Sequence, residues 1–289
     1  MQVISRLYVA AVVAVMAFLG AGAAWAGMGQ PSDWQIGPQQ SVTPVMDQIV
    51  WFHNYLLVFI TVITLFVLAL LAIVVLKFNA RANPTPSRAT HNTALEVAWT
   101  LIPVLILLAI AIPSFRFLFF QLTIPQKVDL TVKATGKQWF WSYSYPDKDY
   151  GFEFDSLMLS EKERKAKTDK DPKADVPRLL AVDNELVVPV NQVVRVQVIG
   201  ADVIHAFAVP SFGVKIDAIP GRLNETWFQV EREGIYYGQC SELCGKDHAF
   251  MPIAVRAVSA EAFKAWVEQA KKKYARIDGS TAVAAATGQ

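Results

Sequence analysis

The residues best suited to chemistry lie together near the C-terminal end of the chain. Cys240-Ser-Glu-Leu-Cys244-Gly-Lys-Asp-His248-Ala-Phe-Met251 puts two thiols, an imidazole and a thioether within 12 residues. His205 precedes this stretch by 35 residues, in a separate apolar run. Soft thiolate and thioether donors combined with imidazole select copper, and zinc less well. Structural zinc prefers four Cys or His ligands, and methionine suits it poorly. A mononuclear blue-copper site takes one Cys, two His and a weak axial Met. Here a second thiol is present, so the set exceeds what one copper needs. Two thiolates bridging two metals, with one terminal histidine for each, would hold a pair of coppers able to share an electron. The plain alternatives are a Cys240–Cys244 disulfide, a polar core role for His205 and core filling by Met251.

Two further features carry weaker chemical signals. Trp139, Phe140 and Trp141 form an aromatic cluster that strand burial alone would explain. Glu96 opens the second of two apolar stretches, where the electrostatics of a helix N-terminus already favour an acid.

These residues need elements to hold them. With 53% hydrophobic residues, the chain is too apolar for an ordinary soluble domain, so a membrane anchor with a globular domain is expected. A net charge of +2 supplies no excess of cations for phosphates and argues against nucleic acid as a partner. Residues 1–26 read as a signal peptide: Arg6, an apolar run from Leu7 to Leu19, and the A-x-A site Ala24-Trp25-Ala26. A retained first helix is the alternative. Spans are expected at about 50–77 and 95–120, the second containing Pro103 and Pro113. A membrane helix tolerates such prolines where neighbouring protein satisfies the carbonyls they free. Lys77, Arg81 and Arg88 fall between the spans, while Asp33 and Asp47 precede the first. The positive-inside rule therefore puts the short loop in the cytoplasm and both the mature N-terminus and the C-terminal region outside.

From residue 123 to 258 the pattern turns to period-two alternation. It shows in Val128, Leu130 and Val132, in Val194, Val196 and Val198, and in Trp139, Trp141, Tyr143 and Tyr145. Many short strands of this kind predict a sandwich or Greek-key barrel. The charged segment 160–178 reads as a mobile, solvated insertion. In 259–289, Ser259 can cap a helix with an apolar stripe of Phe263, Trp266, Val267, Ala270 and Tyr274, followed by a flexible tail.

The motif C-S-E-L-C-G-x-x-H-x-x-M with an upstream D-V-I-H resembles the Cu-A motif of subunit II of haem–copper cytochrome c oxidases of the bacterial aa3 type. A-L-E-V-A-W-T-L-I-P (Ala94 to Pro103), I-P-S-F-R (Ile112 to Arg116) and G-K-Q-W-F-W-S-Y (Gly136 to Tyr143) extend the resemblance over most of the mature chain. It implies a membrane-anchored, all-β fold: a two-helix transmembrane hairpin followed by a cupredoxin-like Greek-key β-barrel. It implies a binuclear copper centre held by His205, Cys240, Cys244, His248 and Met251, with the Glu242 main-chain carbonyl as a further ligand. The Glu242 side chain would reach a magnesium ion shared with subunit I. Trp139 would be the inlet for electrons from cytochrome c, and Glu96 the mouth of a proton path into subunit I. Asp147, Asp149, Glu153, Asp155 and Asp202 would form an acidic docking patch, although Ser144 replaces a frequent acid. Haem and Cu-B would belong to subunit I, where oxygen reduction drives proton pumping, with subunit III as a further partner. The setting would be the bacterial inner membrane, with the copper domain on its periplasmic side. Two other readings compete: a quinol-oxidase relative, which would lack the copper ligands, and a tethered copper carrier, which would need neither Trp139 nor Glu96.

Overall fold

The computed structural model describes residues 29–147, 150–171 and 176–274. The expected signal peptide, the acid Asp149 and the expected flexible tail fall outside them.

Helix α1 (Pro44–Lys77) starts where Thr43 Oγ1 accepts from the Met46 N–H at 3.1 Å, with Pro44 in the first turn. Helix α2 (Thr93–Leu122) is capped by Asn92, whose Oδ1 accepts from the Leu95 N–H at 3.1 Å. At 34 and 30 residues they measure roughly 50 and 45 Å, longer than a hydrocarbon core of ~30 Å. α1 thus begins ahead of the span expected at 50–77, because its cap extends the helix over the polar residues Asp47 and Gln48. The two form a transmembrane hairpin with its apolar surface outward. Pro113 lies inside α2 and has no N–H to offer the carbonyl of Ala109, four residues earlier. The Tyr55 hydroxyl of α1 donates to that carbonyl at 3.0 Å, so the neighbouring helix repairs the lost bond.

The rest is a two-layer β-domain. One sheet has the order β3-β2-β1-β5-β8, built from Phe152–Ser156, Phe140–Tyr145, Leu130–Lys137, Val194–Gly200 and Asn224–Phe228. The other runs β4-β10-β9-β6-β7, from Leu186–Pro189, Pro252–Val258, Gly234–Cys240, His205–Val209 and Val214–Ala218. The β1–β5 and β4–β10 pairs are parallel and the others antiparallel. Between the layers Val132, Ala134, Trp141, Tyr143, Val196, Val198, Phe207, Tyr236, Ile253 and Val255 are buried, as their alternation requires. The fold is the helical hairpin and cupredoxin-like β-domain that the sequence leads one to expect. Its two parts meet where Thr43 Oγ1 donates to the Phe212 carbonyl (2.8 Å) and Phe120 meets Trp227 edge-on at 5.6 Å.

Two local readings change. Segment 160–178, read as a solvated insertion, contains helix α3 (Glu161–Lys170). A reciprocal capping box between Ser160 and Glu163, acids in its first turn and lysines in its last let it form without burying a residue. Trp139, read as the first residue of a strand, instead shares with Gln138 the two-residue tip between β1 and β2, since Lys137 pairs with Phe140. The C-terminal helix α4 (Ala260–Lys273) buries Phe263, Val267 and Ala270 against the β-domain. Trp266 packs on Tyr145 at 5.3 Å between ring centres, and Tyr274 stacks on Phe154 at 4.8 Å.

Candidate metal centre

Neighbouring strands and one loop bring the soft donors together. Cys240 ends β9 and pairs in register with Phe207 of β6, the strand that His205 begins. Beyond Cys240 the chain turns back through Cys244 and a short helical turn at His248–Phe250, then enters β10 just after Met251. Cys240, Cys244, His205 and Met251 are buried, and His248 is half-buried.

The donor atoms are spaced as ligands would be. The two Sγ atoms lie 3.9 Å apart as free thiols, so the disulfide reading does not hold. Cys240 Sγ is 3.9 Å from His205 Nδ1, and Cys244 Sγ is 3.6 Å from His248 Nδ1 and 3.6 Å from Met251 Sδ. The Glu242 carbonyl comes within 3.3 Å of Cys240 Sγ, while its side chain faces solvent. Metal–sulfur bonds of ~2.3 Å and metal–nitrogen bonds of ~2.0 Å at open angles would separate donors by roughly 3.5–3.8 Å. The residues therefore fit a soft metal. The ligand atoms of His205, Cys240 and Cys244 all fall within 4.8 Å of one another. His248 contacts the pair from the Cys244 side, so the thiols have an imidazole at each end.

Electrostatics prepare the cluster unevenly. Burial opposes ionisation of Cys240, but hydrogen bonds from His205, the main chain and His248 outweigh it and bring its pKa down to about 6. Burial and the neighbouring Cys240 thiolate push Cys244 up to about 12. One thiolate is thus available at neutral pH, and the second proton must leave when a metal binds. His205 is raised: burial works against its charge, and the contacts with Cys240 and Asp202 prevail.

Asp202, expected in a docking patch, has another task. Its Oδ1 lies 2.8 Å from His205 Nε2, and its carboxylate accepts from the Gln138 and Val203 N–H groups at 2.7 Å each. It holds the imidazole so that Nδ1 faces Cys240. Gly136 makes this possible, because a Cβ there would come within 2.8 Å of the His205 ring. A glycine inside a strand pattern was the available signal for this close approach.

The hairpin tip reaches the same loop. Trp139 Nε1 donates to the Cys244 carbonyl at 3.2 Å, and Gln138 Nε2 donates to the same oxygen at 2.9 Å. Gly245, at φ +127°, lies so close to the indole that a Cβ would meet Trp139 Cζ2 at 2.9 Å. Nothing in residue type alone singles out Gln138, whose contact depends on the turn.

The remaining acids spread along β2 and β3. Asp147 accepts from the Thr131 N–H, six residues down β1 from Lys137, about 20 Å from the tip. Glu153 pairs with Ser144, and Asp155 with Ser142 nearer the tip, where Lys137 approaches it at 3.6 Å. Only Asp155 and Asp202 therefore stand near Trp139 among the described acids expected to dock a donor. Glu96 lies at the other extreme, at the start of α2, with its carboxylate accepting from the Asn92 N–H at 3.3 Å.

Known proteins are similar to both parts of the chain. Residues 130–258 match the family model described as cytochrome c oxidase subunit II, periplasmic domain, and residues 31–117 match that of its transmembrane domain. A probable cytochrome c oxidase subunit 2 of Rickettsia bellii is 49% identical over 251 residues, covering 87% of this chain and 90% of its own. Cytochrome c oxidase subunit 2 of Cereibacter sphaeroides is 48% identical over 254 residues, covering 84% and 83%. A crystal structure of the periplasmic domain of cytochrome oxidase subunit II of Bradyrhizobium japonicum is similar at 67% identity, with a TM-score of 0.46 over 53% of this chain and 100% of that one.

Proposed function

This chain belongs to the cytochrome c oxidase subunit II family, and from that premise we propose that it is the oxidase's electron inlet, built around a binuclear copper centre. The observation that carries the reading is the convergence of two free thiols, with an imidazole at each end and Met251 beside Cys244. When bound, copper supplies a one-electron redox couple shared by two ions. Cys240, Cys244, His205, His248 and Met251, with the Glu242 carbonyl, would hold them. Burial keeps water from the thiolates, and the Asp202 carboxylate fixes the His205 ring. A quinol-oxidase relative lacking these ligands does not fit this cluster.

Trp139 is the outermost aromatic on the path. A single hydrogen bond joins its indole to the main chain of Cys244, so an electron arriving from cytochrome c meets one non-covalent step before a ligand residue. This separates an inlet from a copper carrier, which has no use for the contact. Electrons would continue to haem and Cu-B in subunit I, where oxygen is reduced. The exposed Glu242 side chain is available for a magnesium ion shared with that subunit. Glu96, half-exposed at the cytoplasmic start of α2, would open a proton path. The hairpin would lie in the bacterial inner membrane beside subunits I and III, with the β-domain in the periplasm. In stopped-flow mixing of the copper-loaded full-length chain with reduced cytochrome c, Trp139→Phe should slow electron uptake on the order of tenfold, ~1.4 kcal/mol of barrier. Copper content should not change. Loss of copper in that variant would make Trp139 a structural support instead.

A further inference from the structure

Arg116 places a charge on the apolar outer surface of α2. It is exposed, and among the described residues no ion pair or hydrogen bond reaches its guanidinium. An ionisable group at such a position calls for a partner. Its level follows from the chain. The uncharged residues 97–115 cover roughly 28 Å of helix, close to a hydrocarbon core of ~30 Å, so Glu96 and Arg116 mark its two faces. Trp51 of α1, 52% exposed, stacks on Tyr55 at 5.4 Å, and Phe52 meets Phe117 at 6.4 Å. Exposed Trp and Tyr mark a membrane–water boundary, here the one on the side of the β-domain. A crevice of about 390 Å³ opens there between the helices, lined by Gln48, Trp51, Pro113, Arg116, Phe117 and Phe120.

Phe120 leads to a second donor. Its ring meets Trp227 edge-on, and the Trp227 indole N–H, on a side chain only 5% exposed, has no hydrogen-bond partner among the described residues. Trp227 lines a cavity of about 150 Å³ between the end of α2 and strands β7 and β8, together with Lys215. An indole nitrogen can only donate, and when buried it needs an acceptor. The acids on this side do not serve either donor. Glu225 is held by Gln197 at 2.8 Å and Arg195 at 3.9 Å, and Asp47, next to Gln48, forms no ion pair with Arg116.

We propose that the chain binds a phospholipid of the leaflet on the β-domain's side, with the lipid phosphate on the Arg116 guanidinium. Phe120, beside Trp227, lies four residues beyond Arg116, about 6 Å of helix rise. Two donors at such different heights suit a phosphate with a polar headgroup beyond it, whereas one carboxylate would meet only one of them. The headgroup extends past Phe120 to accept from Trp227, and the acyl chains run along the apolar outer surface of the hairpin. A planar guanidinium matches phosphate oxygens two at a time.

Native mass spectrometry tests the site on the full-length chain in detergent, titrated with dioleoyl phosphatidylglycerol. One lipid should bind ahead of the rest. Arg116→Gln should weaken that binding about tenfold, and Arg116→Lys less, because an ammonium keeps the charge without the fork. Trp227→Phe should weaken it about threefold through the lost donor. Dioleoylglycerol, which has no phosphate, should not distinguish the parent from Arg116→Gln, and inorganic phosphate should not displace the lipid. Copper content should match the parent in every variant. Unchanged phosphatidylglycerol binding by Arg116→Gln would overturn the site. Displacement by inorganic phosphate would overturn it too, in favour of a free anion. Loss of subunit I from the co-purified complex, with lipid binding unchanged, would assign Arg116 to a carboxylate of that subunit instead.

Discussion

Strand β2 joins two aromatic clusters that look alike in sequence and differ in what their atoms do. At the tip end, Trp139 and Trp141 point indole N–H groups at main-chain carbonyls of metal-loop residues, Cys244 at 3.2 Å and Met251 at 3.3 Å. At the other end, Tyr145 stacks with Phe152 and meets Trp266 at a tilt, and its hydroxyl bridges to the main chain of Val187. The first cluster ties the hairpin tip and β2 to the loop that carries the soft donors; the second fastens α4 to the sheet. Aromatic content alone does not distinguish the two roles, but the destination of each polar atom does.

Substitutions at the two ends should therefore separate metal chemistry from stability. The largest effect is expected from Cys244→Ser, which removes the donor adjoining Cys240, His248 and Met251. Copper affinity should drop a thousandfold or more, roughly 4 kcal/mol. The unfolding midpoint of the copper-free chain in urea should barely move. Trp266→Ala should do the reverse: about 2–3 kcal/mol of stability lost for a partly buried aromatic, with the copper spectrum of the folded protein unchanged. Change in both properties for either variant would erase the contrast.

Smaller effects refine the metal end. Because Cys244 is held well up by burial and by Cys240, metal binding near pH 7 must release its proton. Copper affinity, followed by competition with a chelator, should accordingly rise about tenfold per pH unit, or ~1.4 kcal/mol. The slope should steepen at the acid side, where raised His205 is protonated and must also give up a proton. Asp202→Asn should be the mildest change, costing about 1 kcal/mol of affinity through a less firmly held imidazole. If Asp202 served only to attract a donor, that affinity would be unaltered.

Much of this organisation is legible in the sequence because its causes are local. The alternation of Val194, Val196 and Val198 marks a strand with one buried face, and the spacing of Cys240, Cys244, His248 and Met251 marks a ligand loop. Pro113 even foretells the need for an outside donor, which Tyr55 supplies. Other features depend on distant contacts. Alternation continues through Trp139, so period alone cannot show that the residue sits on a turn; the β1–β2 register decides that. Asp202 is just another acid until folding places its carboxylate against His205. The acids of β2 and β3 look like one patch in a list of charges, yet extended strands carry Asp147 about 20 Å from the tip. For α3 the information is local: high charge predicts a mobile, solvated insertion, but Ser160 and Glu163 spell a capping box.

The central claim is that these thiols hold two coppers as a single electron-sharing unit. Electron paramagnetic resonance of the copper-loaded full-length chain, poised with one unpaired electron per site, tests it most directly. Two equivalent copper nuclei sharing that electron give a seven-line hyperfine pattern, and this is the expected result. A four-line pattern, from an electron confined to one copper, would contradict the claim.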